Sequence, residues 1–405
     1  MSNTILNTDL ILNELGYEFA NRCPVLDKVD RQFDGKFEAD SKEYGKTGGT
    51  INVRKPPVYS MRTGETSSGG TALREKISIT TDVLTGVDLP AFSLTEKSIK
   101  VGDFEQKQDI KAAADRLAAY VEGRVLQEAL SVSNSIHSSS GSITYPDILK
   151  GKAKVYDHEG GEDLAGYITA TDEVSLISEN KALFNPSKAI SSQFEKGKVG
   201  TVGGVDLYTS NHIKNLTTGT RVGTILVDGT ISTEGTTTLH IDGFTNATDT
   251  IAKSEVFTVA GVYDVHPITK ETLPYLKQWC VSADAVAASS EVDVVLTEGM
   301  YAAGVQKNCS ALPIDNAAVT FLGTASKTIP QNLIWTPRAI TLASVKLKMF
   351  MGITDQSRKE FKGISIRIAP VTNAENNSEY LRCDILLAVK TLQPMFACRE
   401  WGAEF

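Results

Sequence analysis

The stretch that decides the fold runs from residue 103 to residue 131, DFEQKQDIKAAADRLAAYVEGRVLQEALS. Its apolar residues Ile110, Ala114, Leu117, Val121, Val125 and Ala129 recur at steps of three and four, the period that lines one face of an α-helix. Asp103 is placed to cap the start, and Glu105 lies in the first turn, where a negative charge suits the helix dipole. No proline interrupts the stretch, and Gly123 is its weak point. At 1.5 Å per residue such a helix spans roughly 40 Å. That is long enough to be the spine of a domain, with Ile110, Leu117, Val121 and Val125 turned to the core.

Upstream, Asn7 to Arg22 carries Ile11, Leu15 and Phe19 at helical spacing, although Gly16 weakens it and Pro24 ends it. Residues 31–50 are polar and glycine-rich. Ile51-Asn-Val53-Arg then alternates like a strand until Pro56-Pro57 stops it. After the glycine-rich loop YSMRTGETSSGGTA (59–72), Arg74–Val83 alternates again. Ile77, Ile79 and Val83 fall on one side, and Lys76, Ser78 and Thr80 on the other. The pattern predicts a hairpin with a long tip. An isolated two-stranded hairpin is marginal in water, and nothing nearby in sequence offers it a surface.

Downstream, Asp147–Tyr156 reads as a shorter helix, with further helical turns in Val174–Asn180 and Pro186–Phe194. Tyr167–Ala170 and Val205–Tyr208 read as strands. From about Leu216 to Ser326 the composition turns to Thr, Val and Gly. Short strands follow one another there: Val222–Val227, Thr238–Ile241, Glu255–Val259, Leu276–Val281, Val292–Leu296 and Ala318–Leu322. Asp228-Gly229 and Asp242-Gly243 are turn signals. The reading is a small all-β barrel or sandwich inserted into an α+β body. The body resumes with Leu333–Ile334 and Ile340–Leu342. Then come the alternating Ile364, Ile366 and Ile368, a turn at Asn373–Glu379, and a long strand, Cys383–Leu392, stopped by Pro394.

The chain has 405 residues, 41% hydrophobic and 22% charged, which excludes gross disorder. No run nears the ~18 apolar residues of a membrane span. The opening MSNTILNTDLILNELG has no basic n-region and no small-residue cleavage site, so a cleaved signal peptide is not expected. With Lys+Arg 41 against Asp+Glu 49, the net charge of −8 argues against a protein built to grip a polyanion along its length. Five cysteines (Cys23, Cys280, Cys309, Cys383 and Cys398) give no CxxC spacing and fit a reducing compartment.

Catalytic and cofactor motifs fail on inspection. Gly45-Lys46-Thr47 lacks the glycine of a phosphate loop, since Asp40 stands there and would repel phosphate. No histidine stands in HExxH, and DHEGGED (157–163) lacks the alternation and distal Glu of a calcium loop, so it reads as a solvated acidic turn. No GxSxG occurs. Trp279, Trp335 and Trp401 read as core or interface anchors. The expectation is no enzyme, no cofactor and no metal.

The order of pieces resembles the major capsid proteins of tailed bacteriophages, the Hong-Kong-97-type fold. Within them it most resembles the coat proteins of short-tailed Salmonella and Shigella phages, which carry an inserted β-barrel. The likeness rests on Ile51-Asn-Val-Arg-Lys-Pro-Pro with Met61-Arg-Thr-Gly-Glu, on Lys76-Ile-Ser-Ile-Thr, and on Gly323-Thr-Ala-Ser-Lys-Thr-Ile-Pro-Gln-Asn-Leu-Ile-Trp. It rests also on Phe361-Lys-Gly-Ile-Ser-Ile-Arg-Ile with Arg382-Cys-Asp-Ile-Leu and Gln393-Pro-Met-Phe. The resemblance implies an N-terminal arm (1–45), an E-loop hairpin (46–83) and a P-domain (84–163) with its spine helix (103–131). It further implies an A-domain in two parts (164–212 and 328–355) around the insertion (213–327), and return strands (356–405). It implies hexamers and pentamers of one chain in a shell that encloses DNA without reading its sequence, a scaffolding protein and a portal during assembly, and no membrane. The insertion's first inter-strand loop, Asp228–Thr236, is short where some relatives place a longer one that contacts neighbouring capsomers.

Charge points the same way. Ile51 to Lys76 holds Arg54, Lys55, Arg62, Arg74 and Lys76 against Glu65 and Glu75, a balance of +3, while the spine helix stands at −2. A basic hairpin over a neighbour's acidic body is the expected inter-subunit contact. Two other readings remain at this point: an encapsulin-like compartment of the same fold, and a β-rich carbohydrate-binding or hydrolytic protein.

Overall fold

The helical period at the start of the chain produces the helix Thr8–Arg22, which buries Ile11, Leu12, Leu15 and Phe19. It packs on the strands Ser357–Phe361 and Ile364–Asn373. Gly16 lies where a Cβ would come within 2.2 Å of the Phe361 ring, so the glycine that weakens the helix permits its close approach to the sheet. The structure is a computed structural model that describes residues 8–33, 49–55, 59, 76–90, 104–138, 141–161, 163–179, 200–353, 356–373, 378–402 and 404–405. The expected helical turns at Pro186–Phe194 fall outside these. The chain divides into two compact units, one of residues 1–53, 76–125 and 340–390, the other of 54–75, 126–339 and 391–405.

In the first unit, four antiparallel strands form a sheet in the order Ser357–Phe361, Ile364–Asn373, Ser378–Ile385, Thr85–Pro90. Ile364, Ile366 and Ile368 are buried on one face. On the other face Arg367 is buried too. It ion-pairs with Asp384, donates to the Lys348 carbonyl at 2.6 Å and stacks over Phe350. The strand expected over Cys383–Leu392 is two strands. The first ends at Ile385, the Leu386 carbonyl accepts from the Val345 amide at 3.0 Å, and Leu387–Thr391 pairs with Ile340–Ser344 in a separate sheet. Val83 is also not in the hairpin strand, which stops at Thr80, and it is 71% exposed.

The spine forms as an α-helix over Phe104–Gln127, followed by a 3-10 turn, Glu128–Ser131. Ile110, Leu117, Val121 and Val125 are buried, as are Ala113, Ala114 and Ala118. Asp103 and the side chain of Glu105 lie outside the described residues. Arg124 ties the helix to the loop after the hairpin through Asp82 at 2.8 Å and to the Val389 carbonyl at 3.3 Å.

The second unit is built on a six-stranded mixed sheet. Its order is Ser135–His137, Ala397–Trp401, Asn332–Trp335, Leu164–Ile168, Val205–Thr209, Gly200–Val202. Tyr208, Tyr167 and Trp335 stack across three neighbouring strands with centroids 5.2 Å apart. The helix Tyr145–Asp157 lies against Ala397–Trp401. It begins with a capping box between Thr144 and Asp147 and with Pro146 in its first turn. A further helix runs Ala170–Glu179. No described helix is long and apolar enough to cross a membrane.

The inserted segment begins and ends in a two-stranded neck, Asn215–Thr217 against Thr328–Pro330. Beyond it stand two three-stranded sheets. One has the order Val292–Met300, Thr236–Phe244, Gly223–Val227, and the other Thr272–Cys280, Val256–Val265, Val319–Phe321. Bridges Leu226–Ala318 and Val281–Leu296 link them. They enclose an apolar core that includes Leu239, Ile241, Phe257, Trp279 and Met300, drawn wholly from this segment. Asp228-Gly229 is a turn as expected, but Asp242-Gly243 is not. It lies inside Thr236–Phe244, where the register with Gly223–Val227 shifts in a bulge. Gly243 there has φ +83°, and a Cβ would lie 2.0 Å from the Thr224 carbonyl oxygen. The dipeptide is needed for close backbone approach, which a turn search cannot distinguish from a reversal.

Two expectations follow for stability. Leu117→Ala empties a well-packed site on the spine and should cost about 2–5 kcal/mol by denaturant titration; a cost under about 1 kcal/mol would mean that this face carries no packing. Gly243→Ala must both strain the backbone and displace a neighbouring strand, and should cost about 2–4 kcal/mol. Gly229→Ala, with φ +81° but open space around the added carbon, should cost only about 1 kcal/mol. Equal costs for the two glycines would refute the bulge argument.

Candidate functional site

The hairpin forms from Thr50–Arg54 and Lys76–Thr80. Alternation divides its faces. Ile51, Val53 and Ile79 are buried, whereas Thr50, Asn52, Arg54, Lys76, Ser78 and Thr80 are exposed. Ser78 donates to Asn52 at 2.8 Å, and the Thr50 and Thr80 hydroxyls meet at 3.1 Å. The Thr81 amide closes the base on the Gly49 carbonyl at 2.9 Å. The hairpin needs a surface to lie on, and at its base Ile51, Val53 and Ile79 are buried within the chain. Of the five basic residues expected to act between subunits, Arg54 and Lys76 are exposed and Lys55 is half-buried. Arg62 and Arg74 lie outside the described residues.

On the spine helix the acidic side chains are partly engaged already. Asp115 ion-pairs with Arg22, and Lys111 approaches Glu18 at 3.6 Å. Asp109 is exposed.

An intrachain polar seam escaped sequence reading, the one on which the segment 213–327 sits within its unit. Tyr275 donates to Asp157 at 3.0 Å. The Gln278 side chain accepts from the Ser135 amide at 2.7 Å and donates to its carbonyl at 2.9 Å, while Lys154 donates to Gln278 at 2.6 Å. Beside them His158 Nε2 lies 3.2 Å from Asp264, and Lys277 lies 3.4 Å from Asp264 and 3.6 Å from Glu298. Burial alone would raise the Asp264 carboxyl, but Lys277 and His158 outweigh it and hold it at about 2. His158 is thus no part of a solvated acidic turn. It is buried at the end of its helix, with Nδ1 2.7 Å from the Lys154 carbonyl. Its partner stands over a hundred residues away, so composition around DHEGGED could not reveal it.

The chemistry-bearing groups of the interior are closed to solvent. All five cysteines are free and buried. Burial pushes the Cys23 thiol up to about 12 and the Cys309 thiol up to about 11, which suppresses the reactive thiolate. Glu400 is fully buried, and burial, with Asp147 and Asp172 adding to it, raises its carboxyl well above the usual range. Trp279, Trp335 and Trp401 are core residues.

The family described as P22 coat protein, gene protein 5, matches residues 85–399. Among solved structures, the chain is similar to that of Mycobacterium phage Che8 at 10% identity, over 94% of this chain and 90% of that one, with a TM-score of 0.45. It is similar to the capsid of Ralstonia phage GP4 at 7% identity, over 90% of this chain and 86% of that one, with a TM-score of 0.44. The CUS-3 coat protein I-domain aligns at 20% identity over 25% of this chain and 98% of that one, with a TM-score of 0.20. No curated protein sequence matches the chain. The family match runs from the strand after the hairpin, through the spine helix and the insertion, to the strand Ala397–Trp401, and on that extent the chain belongs to the P22 coat protein family.

Proposed function

We propose that this major capsid protein closes the icosahedral shell of a tailed phage by laying its E-loop hairpin on the neighbouring subunit. The single observation that supports this is the division of the hairpin's faces: the apolar side is consumed inside the chain, and Arg54 and Lys76 stand on the exposed side. In this reading the chain has the Hong-Kong-97-type arrangement, with arm 1–45, E-loop 46–83, P-domain 84–163, A-domain 164–212 and 328–355, insertion 213–327 and return strands 356–405. The insertion is a six-stranded barrel. The strand ladders and the two linking bridges support closure, since they connect each of its six main strands to two others. The seam of Tyr275, Gln278 and the Lys277–Asp264–His158 group fixes its orientation in the subunit.

Hexamers and pentamers of this chain form the shell, with a scaffolding protein and a portal as partners during assembly in the host cytoplasm, and the virion as the final location. In this reading the chain's work in the shell is structural rather than catalytic. An acidic subunit with a net charge of −8 encloses double-stranded DNA without gripping it, so the polymer slides during packing. Exposed pairs at the hairpin are each worth ~0–1 kcal/mol, so they set register and encounter rate.

The test is the double reversal Arg54→Glu with Arg62→Glu, assembled with and without added salt and viewed by negative-stain microscopy. The expected result is a folded subunit, with its melting temperature unchanged within about 2 °C, that fails to form closed shells. Wild-type shells from the variant would overturn the hairpin contact. Uniform shells from the wild-type chain expressed alone would favour the encapsulin-like alternative over a scaffold-dependent coat.

A further inference from the structure

One side of the insertion gathers a histidine and three carboxylates that the assembly reading does not use. In Thr236–Phe244, Leu239 and Ile241 are buried, so His240 between them faces outward. In register it lies opposite Asp293 of Val292–Met300. On its other side Asp228, the residue after Gly223–Val227, donates its amide to the His240 carbonyl at 3.0 Å. Three neighbouring strands thus deliver Asp228, His240 and Asp293 to one level of the sheet, and Glu291 comes from the turn before Val292. That turn is held by two hydrogen bonds between Ala288 and Glu291, at 2.9 and 3.1 Å.

His240 Nδ1 bonds Asp293 at 2.7 Å. Its Nε2 lies 3.1 Å from an Asp228 oxygen and 3.7 Å from a Glu291 oxygen. The ligand atoms offered by Asp228, His240 and Glu291 all lie within 4.8 Å of one another. A tetrahedral ion with bonds of about 2.0–2.1 Å requires ligand atoms about 3.3–3.4 Å apart, and the two measured separations bracket that edge. Histidine ligands give their second nitrogen to a carboxylate, which fixes the tautomer with its lone pair toward the metal; Asp293 is placed to do this. A single imidazolium offsets only one of the three carboxylates. Mixed nitrogen and oxygen donors favour a borderline transition ion over calcium or magnesium, which take oxygen.

We propose that Asp228, His240 and Glu291 form a binding site for a divalent transition ion of the zinc class, with Asp293 as the positioning residue that orients the imidazole. The ion clips the turn after Gly223–Val227 to the two strands beside it.

The test is calorimetric titration of the full chain with zinc chloride, together with the visible spectrum on adding cobalt(II). The wild type should bind one zinc ion that His240→Ala does not bind, with a dissociation constant in the micromolar range, and should give cobalt bands that the variant lacks. Asp293→Asn should weaken zinc by about 10–100-fold. Magnesium or calcium in equal amount should not displace zinc. In EDTA the melting temperatures of wild type and variants should agree within about 2 °C, and the wild type alone should rise when zinc is added. If zinc stoichiometry and affinity are the same in His240→Ala as in the wild type, the site does not exist. If Asp293→Asn binds zinc as the wild type does, the orienting role fails.

Discussion

The second unit turns on a cation with no access to water. Arg399 is fully buried in the strand Ala397–Trp401. Its guanidinium donates to the Ser254 carbonyl and to the Gln331 side chain, each at 3.0 Å, and its backbone amide to the Asn134 carbonyl at 2.8 Å. Burial lowers its pKa, which registers the cost of holding a charge there. Removing an ion from water costs several kcal/mol, and fixed acceptors offset this only when all of them are in place. Here the guanidinium's acceptors come from the insertion and from the segment leaving it, while the Asn134 carbonyl, just past the spine, holds the backbone amide of the same residue. The strand can carry Arg399 only once these remote segments have met, which couples their folding.

The insertion illustrates the complementary rule. Its apolar core contains only its own residues, so its internal stability makes little demand on the body. Where it meets the body, a polar and ionic seam holds it. Such groups add little net stability when satisfied, yet are costly when mispaired, so they select one arrangement over others of similar compactness. The Lys277–Asp264–His158 group and the doubly bonded Gln278 amide narrow the seatings available, because the Gln278 amide meets both the amide and the carbonyl of Ser135 and the charges are paired out of water.

Legibility in the sequence followed the range of the interactions. The spine helix and the insertion's strands carry their reasons locally, in a period of three to four or in short apolar runs closed by turns. Thr85–Pro90 does not. It holds Gly86, Asp88 and Pro90, poor strand formers, and is extended because Ser378–Ile385 presents an edge to it from nearly three hundred residues away. The break at Leu386 was invisible because the chain is buried on both faces before and after it, so no alternation was there to lapse. At the hairpin, the exposure of Arg54 and Lys76 was readable from alternation, whereas the intrachain cover beneath Ile51, Val53 and Ile79 was not. The seam residues His158, Tyr275, Lys277 and Gln278 stood among ordinary polar neighbours, and only partners far along the chain give them meaning.

These two scales of electrostatics have different tasks. Inside the subunit, Arg367 with Asp384 and Arg221 with Glu255 are desolvated and directional. Breaking one strands a buried charge, at a cost of about 3–5 kcal/mol, so each unit resists rearrangement around its pair. On the hairpin Arg54 and Lys76 are exposed, and a pair made by either is screened within a Debye length of about 8–10 Å and weak by itself. On the assembly reading that weakness is functional. A subunit attached through a few such pairs can leave again if misplaced, while one seated correctly gains the repeated contacts of all its neighbours. Stronger exposed pairs would trap early errors, and weaker buried ones would let the subunit deform to accommodate them.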